Sequence, residues 1–276
     1  MKLHAGRHLI DLDQPRVMGI LNVTPDSFSD GGRFLDVDDA LRQAAEMIGA
    51  GADIIDVGGE STRPGADETS VQTELDRIMP VIEGIADRFD IPVSVDTSKP
   101  EIMRVAVSVG ASMINDVFAL RAEGAIDAAV EAGVPVCLMH MQGTPRSMQE
   151  SPAYERLPGD IIDFLGERVR HCLSAGLCKE KLIVDPGFGF GKSDQHNLEI
   201  LSKLNQFAEL GLPLLVGLSR KRTLGNLTGK PADRRLGAGV AAAVIAVEKG
   251  ANIVRTHDVA DTVDALKVVT AVNRIG

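Results

Sequence analysis

Short runs of consecutive apolar residues alternate along this chain with longer stretches in which apolar positions recur every third or fourth residue. Eight short runs read as strands: 17–22, 54–57, 93–96, 113–116, 136–140, 182–185, 214–217 and 253–257. Most are apolar at nearly every position rather than at alternate ones, as expected of parallel strands covered on both faces. The stretches 38–50, 70–87, 99–109, 124–132, 160–175, 195–209, 232–249 and 259–273 carry the helical period. Four of them run into Gly51, Gly110, Gly133 and Gly250 before the next strand begins. Glycine is the favoured residue just past a helix C-terminus.

A strand followed by a helix, eight times over, predicts an α/β protein. The expected form is one (β/α)8 TIM barrel spanning 1–276. An open doubly wound sheet shares the alternation. The count of eight, and the absence of G-x-G-x-x-G after the first strand, favour the closed barrel. The residues ahead of Val17 predict a short N-terminal hairpin plugging the barrel bottom.

Composition narrows the class. Apolar residues make up 44% of the chain and aromatic ones 3%, with no Trp, so the core is aliphatic. A net charge of −10 argues against nucleic acid as the partner, because that would call for a basic face. Three cysteines, Cys137, Cys172 and Cys178, form no CxxC pair and read as reduced, mostly buried thiols of a cytoplasmic protein. No apolar run suggests a signal peptide or a membrane span.

The functional residues of such a barrel gather at the C-terminal ends of its strands. Here polar residues follow every apolar run: Asn22, Ser61-Thr62-Arg63, Asp96-Thr97, Asn115-Asp116, Met139-His140-Met141, Asp185, Ser219-Arg220-Lys221 and Arg255-Thr256-His257. Any one of these reads as a turn or cap. Eight together, on elements that converge in space, read as a site. The stretch 182–192, LIVDPGFGFGK, is the most informative: a buried strand delivers Asp185 to a loop whose glycines permit close approach of a ligand. Lys192-Ser193 invites a P-loop reading, but position 186 is proline where that motif needs glycine.

The constellation has two chemical halves. Asp96, Asn115 and Asp185 offer acceptors, with Asn115 able to donate, which suits a flat heterocycle bearing several N–H groups. Met139 can pack on its face, or simply fill the core. Arg63, Arg220, Lys221, Arg255 and His257 form a cationic half, which in an acidic chain implies an anionic ligand. Asn22 is a neutral oxygen donor that could help hold Mg2+ against phosphate oxygens. His140, between two methionines, reads as a satisfied core histidine. Two Gly/Pro/Ser-rich loops, 22–32 and 61–66, could cover the mouth, with Phe28 in the first.

Segments 18–32 (MGILNVTPDSFSDGG), 55–65 (IDVGGESTRPG), 95–98 (VDTS), 114–116 (IND), 138–141 (LMHM), 182–192, 216–221 (VGLSRK) and 255–257 (RTH) closely resemble the dihydropteroate synthases of the bacterial folate pathway. The resemblance covers nearly the whole chain. It implies an enzyme that joins 4-aminobenzoate to (7,8-dihydropterin-6-yl)methyl diphosphate with Mg2+, releasing diphosphate. It further implies that Asp96, Asn115, Asp185 and Lys221 hold the pterin, that Asn22 contacts Mg2+, and that Thr62, Arg255 and His257 face the diphosphate. Arg63, Pro64, Phe190, Ser219 and Lys221 would line the aminobenzoate pocket, with Phe28 and Gly189 nearby. A homodimer and sulfonamide sensitivity are implied too; the alanine- and valine-rich segment 237–247 reads equally as an interface or as a buried helix. Arg33-Phe34 and Arg222-Thr223 depart from the usual pattern.

The residues contain no nucleophile–base set, so the expected mechanism is an SN1-like substitution driven by positioning and electrostatics. Competing readings are a methyl-transferring pterin enzyme working with a corrinoid, a non-catalytic pterin or phosphate binder, and a Schiff-base lyase. None of the strand runs carries the lysine that the last requires.

Overall fold

The computed structural model describes residues 1–24, 37–61, 69–144 and 147–275. The chain opens with an antiparallel hairpin, β1 (Lys2–Ala5) and β2 (His8–Asp11). Parallel strands follow: β3 (Arg16–Asn22), β4 (Ile54–Gly58), β5 (Val93–Asp96), β6 (Met113–Asp116), β7 (Val136–Met139), β8 (Leu182–Asp185), β9 (Leu215–Val216) and β10 (Ile253–Thr256). Around them run α1 (Val37–Gly49), α2 (Val71–Arg88), α3 (Pro100–Ser108), α4 (Ala125–Ala132), α5 (Gly159–Ser174), α6 (Asp194–Ser202), α7 (Arg222–Thr228), α8 (Leu236–Glu248) and α9 (Val259–Asn273).

The strands lie in the order β8-β7-β6-β5-β4-β3-β10-β9. A parallel bridge between Val184 and Leu214 joins the two outer strands, so the sheet closes on itself as a (β/α)8 barrel. The wall between strands and helices is packed with aliphatic side chains such as Leu21, Val57, Val95, Ile114, Leu138 and Val184, against Ile78, Ile82, Ile102 and Leu165. The hairpin closes the bottom as expected. Leu3, Ala5, Ile10 and Leu12 pack against Met18, Ile54, Met113, Cys137, Ile183, Leu215 and Ile253 from the lower ends of the strands.

Local chemistry explains the helix ends. Ser70 accepts from the Thr73 amide at 3.2 Å to start α2, and Ser193 with His196 forms a capping box on α6. Gly133 ends α4 in the left-handed region at φ 62°. Three expectations needed correction. The helix expected over 195–209 breaks after Ser202 and continues as a 3-10 helix, Leu204–Leu210. The one expected over 232–249 begins with a separate 3-10 turn, Ala232–Arg234, before α8. Helix α7 was not anticipated at all. The thiols are mostly buried, as expected: Cys137 and Cys172 lie inside and Cys178 is exposed.

Register positions the site. Asn22 pairs with Gly58, Gly58 with Asp96, and Asp96 with Asn115, so the ends of four adjacent strands, three of them polar, stand at one level. Met139 pairs with Asp185 further around the wall.

Candidate active site

Arg255 on β10 is the centre of the barrel mouth. Its Nε donates to Asp56 Oδ2 at 2.6 Å and its Nη2 to Asp96 Oδ2 at 2.7 Å. Asn115 Nδ2 donates to the same Asp56 oxygen at 3.2 Å. Asp56 is wholly buried, and its Oδ1 has no hydrogen-bond partner among the described residues. A buried carboxylate oxygen left open costs free energy unless a bound molecule or water satisfies it.

The glycines here act as clearances. A Cβ on Gly58 would lie 3.4 Å from Asp96 Cβ and 3.8 Å from Asn22 Oδ1, which places Asn22 beside the Asp96 carboxylate. A Cβ on Gly187 would meet the His140 carbonyl oxygen at 2.0 Å, and its φ of 69° is unfavourable for other residues, so only glycine fits that turn. The Gly187 amide in turn donates to Asp185 Oδ1 at 2.7 Å and aims that carboxylate.

Burial dominates the ionisation of the pocket. It raises the Asp185 carboxyl to about 6 against the opposing pull of the Gly187 amide and Lys221. Asp96 is also raised, chiefly by burial, although Arg255 pulls it back. Burial lowers the Lys221 ammonium to about 8, with Arg255 adding repulsion and Asp185 opposing it. For Arg255 burial lowers and the Asp56 and Asp96 charges raise, and the carboxylates win.

Most of the expected residues come together. Asn22, Asp96, Asn115, Asp185, Lys221 and Arg255 share the mouth, linked by the contacts and charge interactions above. Met139 packs with Val117, Met141 and Met148, against which Phe190 also rests. Lys221 Nζ stands 4.1 Å from the Phe190 ring centroid, and a Cβ on Gly189 would lie 3.2 Å from Lys221 Cδ. Ser219 Oγ lies 3.0 Å from His257 Nδ1. Thr62, Arg63, Pro64 and Phe28 lie outside the described residues.

Several roles differ from the sequence reading. Arg255 is not a free rim cation but is locked to the two carboxylates below it. His257 is held neutral: burial, then Arg255, press its pKa to about 3, so it is no member of a cationic rim. Arg220 pairs with Asp258 at 2.5 Å and is half exposed. Asp116 turns away from the mouth and accepts from Ser98 Oγ and the Phe118 and Leu120 amides, closing a turn. His140 is the satisfied core histidine expected.

Two networks escaped the sequence reading. Asp56 sits mid-strand, and a lone carboxylate inside the apolar run Ile54–Gly58 was the available signal. Lys99 Nζ bridges Glu60 at 2.8 Å and the wholly buried Glu74 at 2.6 Å, while Glu60 Oε1 accepts from the Thr69 amide at 2.6 Å. This triad clamps both ends of the segment after β4.

The fold and site therefore define a barrel enzyme whose mouth recognises a hydrogen-bonding heterocycle beside an anion. The family model for pterin binding enzymes matches residues 18–257. Dihydropteroate synthase from Haemophilus influenzae is 54% identical over 97% of this chain and 98% of its own length, and that from Escherichia coli is 54% identical over 98% and 96%. A Yersinia pestis dihydropteroate synthase solved with a sulfonamide drug complex superposes with a TM-score of 0.96 at 51% identity, covering 99% of this chain and 100% of that one. A Xanthomonas albilineans dihydropteroate synthase in complex with 7,8-dihydropteroate gives 0.91 at 46% identity, covering 99% of each. The chain belongs to the pterin-binding enzymes and, among them, to the dihydropteroate synthases. It is a transferase that condenses 4-aminobenzoate with (7,8-dihydropterin-6-yl)methyl diphosphate, giving 7,8-dihydropteroate and diphosphate in folate biosynthesis.

Proposed function

We propose that the condensation runs as an SN1-like substitution in this mouth, and that the convergence of Arg255 on Asp56 and Asp96 is the observation that carries it. Asp96, Asn115 and Asp185 receive the N–H edge of the pterin, with Lys221 and Met139 beside it. The bond between the pterin methylene and the diphosphate oxygen breaks first, and its electron pair leaves with diphosphate. The ionised Asp96 and Asp185 stabilise the positive charge left on the dihydropterin. The neutral arylamine then forms the C–N bond and loses its proton to solvent. Phe190, Ser219 and Lys221 hold that second substrate, together with Arg63 and Pro64. Sulfonamides, one of which the Yersinia protein was solved with, would compete at that side.

Arg255 and the neutral His257 face the departing diphosphate. Asn22 would hold Mg2+ there. One side-chain oxygen beside Asp96 suits an ion that keeps most of its waters and binds through substrate phosphates, and no acidic or histidine cluster able to cage a metal occurs among the described residues. When bound, Mg2+ would neutralise charge on the leaving group.

A homodimer is proposed on the exposed apolar side chains of α7, α8 and α9: Leu227, Leu236, Ile245, Val268 and Val272. They leave a contiguous run of helices without an apolar partner, and light scattering after gel filtration reads the mass directly. The unpaired cysteines support a cytoplasmic location. The reaction reading is tested by a diphosphate-release assay that omits each substrate in turn. Release that needs both substrates and falls with Asp185→Asn supports it, and release indifferent to either 4-aminobenzoate or Asp185 refutes it.

A further inference from the structure

Among the described residues, Lys192 is the one lysine or arginine with no exposed surface. The reaction as derived makes no use of it. Its Nζ donates to Gly187 O at 2.9 Å and to Phe190 O at 3.0 Å, and lies 2.9 Å from His140 Nδ1. Burial pulls the Lys192 pKa well below its usual value, with Asp185 opposing; against that, Nζ has three acceptors in reach, which only the ammonium meets with three N–H bonds, the His140 carbonyl being a longer neighbour at 3.4 Å. His140 is suited to accept. Burial and the Lys192 charge press its pKa to about 2, and its ring is packed edge-on against Phe164 at 4.9 Å.

The acceptors belong to two elements. His140 directly follows β7, while Gly187 and Phe190 lie in the turn after β8. That turn belongs to no strand or helix, and its backbone is held from several sides. Asn197 Oδ1 accepts from the Gly189 amide at 2.9 Å, Gln149 Nε2 donates to Gly189 O at 2.7 Å, and Tyr154 Oη donates to Gly191 O at 2.6 Å. Among the described residues, only Lys192 bonds two carbonyls of the turn and a neighbouring strand end at once. One of those carbonyls belongs to Phe190, whose ring meets Lys221.

We propose that Lys192 is a positioning residue for the arylamine half of the site: its buried ammonium ties the 187–190 turn to the end of β7 and so fixes the Phe190 ring beneath Lys221. The inference rests on the reading above that Phe190 and Lys221 receive 4-aminobenzoate. Lys192 touches no substrate in this account and acts through Phe190.

Steady-state kinetics on Lys192→Met, Phe190→Ala and the double variant test it, with thermal melts to establish that each is folded. Lys192→Met is expected to raise KM for 4-aminobenzoate about tenfold while the calorimetric Kd for the pterin diphosphate changes by less than about threefold. On a Phe190→Ala background the same substitution is expected to add less than about twofold, because its route of action is already gone. Equal effects on both substrates, an unchanged KM, or fully additive substitutions would overturn the inference. Phe190→Ala with an unchanged KM would instead refute the arylamine placement itself, and the inference with it. Should Lys192→Met not fold, His140→Leu removes one of the three acceptors, and its KM for 4-aminobenzoate must rise by a smaller factor. A KM equal to that of the wild type would again overturn it.

Discussion

Arg255 and Asp96 reach each other across the barrel mouth from β10 and β5, closing to 2.7 Å with two strands between them. The same guanidinium holds Asp56 at 2.6 Å. The Asp96 carboxylate, proposed above to receive the pterin, is therefore oriented before any substrate arrives. Such preorganisation lowers the cost of arranging dipoles during the reaction.

Asp56 should matter to chemistry although it was assigned no role from sequence. Asp56→Asn keeps the shape but removes the charge that holds Arg255. The expected result is a loss of about 10- to 100-fold in kcat/KM for the pterin diphosphate, the scale of one charge-assisted hydrogen bond. Kinetics beside a thermal melt check it. A lowered melting temperature with unchanged kcat/KM would make Asp56 a purely structural residue.

The pH profile follows from three shifted groups. In the proposed reaction Asp96 and Asp185 act ionised and Lys221 protonated, so kcat/KM for the pterin diphosphate should rise between about pH 6 and about pH 7 and fall through about pH 8. Asp185→Asn should leave the part of the acidic limb set by Asp96, near pH 7, together with the alkaline limb. Stability of the ligand-free protein carries the opposite sign on the acidic side. The Asp185 contribution is fully present below its unfolded value of 3.8 and is lost as pH rises through about 6. Denaturation at a series of pH values separates this from the kinetic effect.

Lys99 holds Glu60, just after β4, and Glu74 of α2 together. Lys99→Met strands the wholly buried Glu74 without its cation. A loss of about 3–5 kcal/mol in urea denaturation is expected, since removing one partner of a buried pair leaves an uncompensated charge.

The hairpin at the barrel bottom should be separable from catalysis. Leu3 is buried among Met18, Ile54 and Ile253, far from the strand ends that carry the site. Leu3→Ala should cost about 2–4 kcal/mol of stability and leave KM and kcat per folded molecule unchanged. Equilibrium unfolding and kinetics on one preparation test both halves.

The barrel was legible because buried parallel strands leave continuous apolar runs, and runs such as 93–96 and 182–185 match their strands residue for residue. Helix α7 was hidden because it is one short element with Gly225 inside it, where Arg235 packs so close that a Cβ would meet its guanidinium at 2.1 Å. Strand-end polar residues such as Asp96 and Asp185 announced themselves by position. Asp56 and Lys192 did not, because each sits inside a motif and acts through another residue. Whether a histidine is charged also depends on its surroundings: His257 looked cationic beside Arg255, and that neighbour is one reason it stays neutral.

In the proposed reaction the carboxylates of this mouth grip the pterin before chemistry begins. Calorimetric titration of (7,8-dihydropterin-6-yl)methyl diphosphate with Mg2+, into the wild type and into Asp96→Asn, measures that grip. Saturable binding at one site per chain is expected, weakened at least about tenfold in the variant. Equal affinity for the two proteins would contradict it.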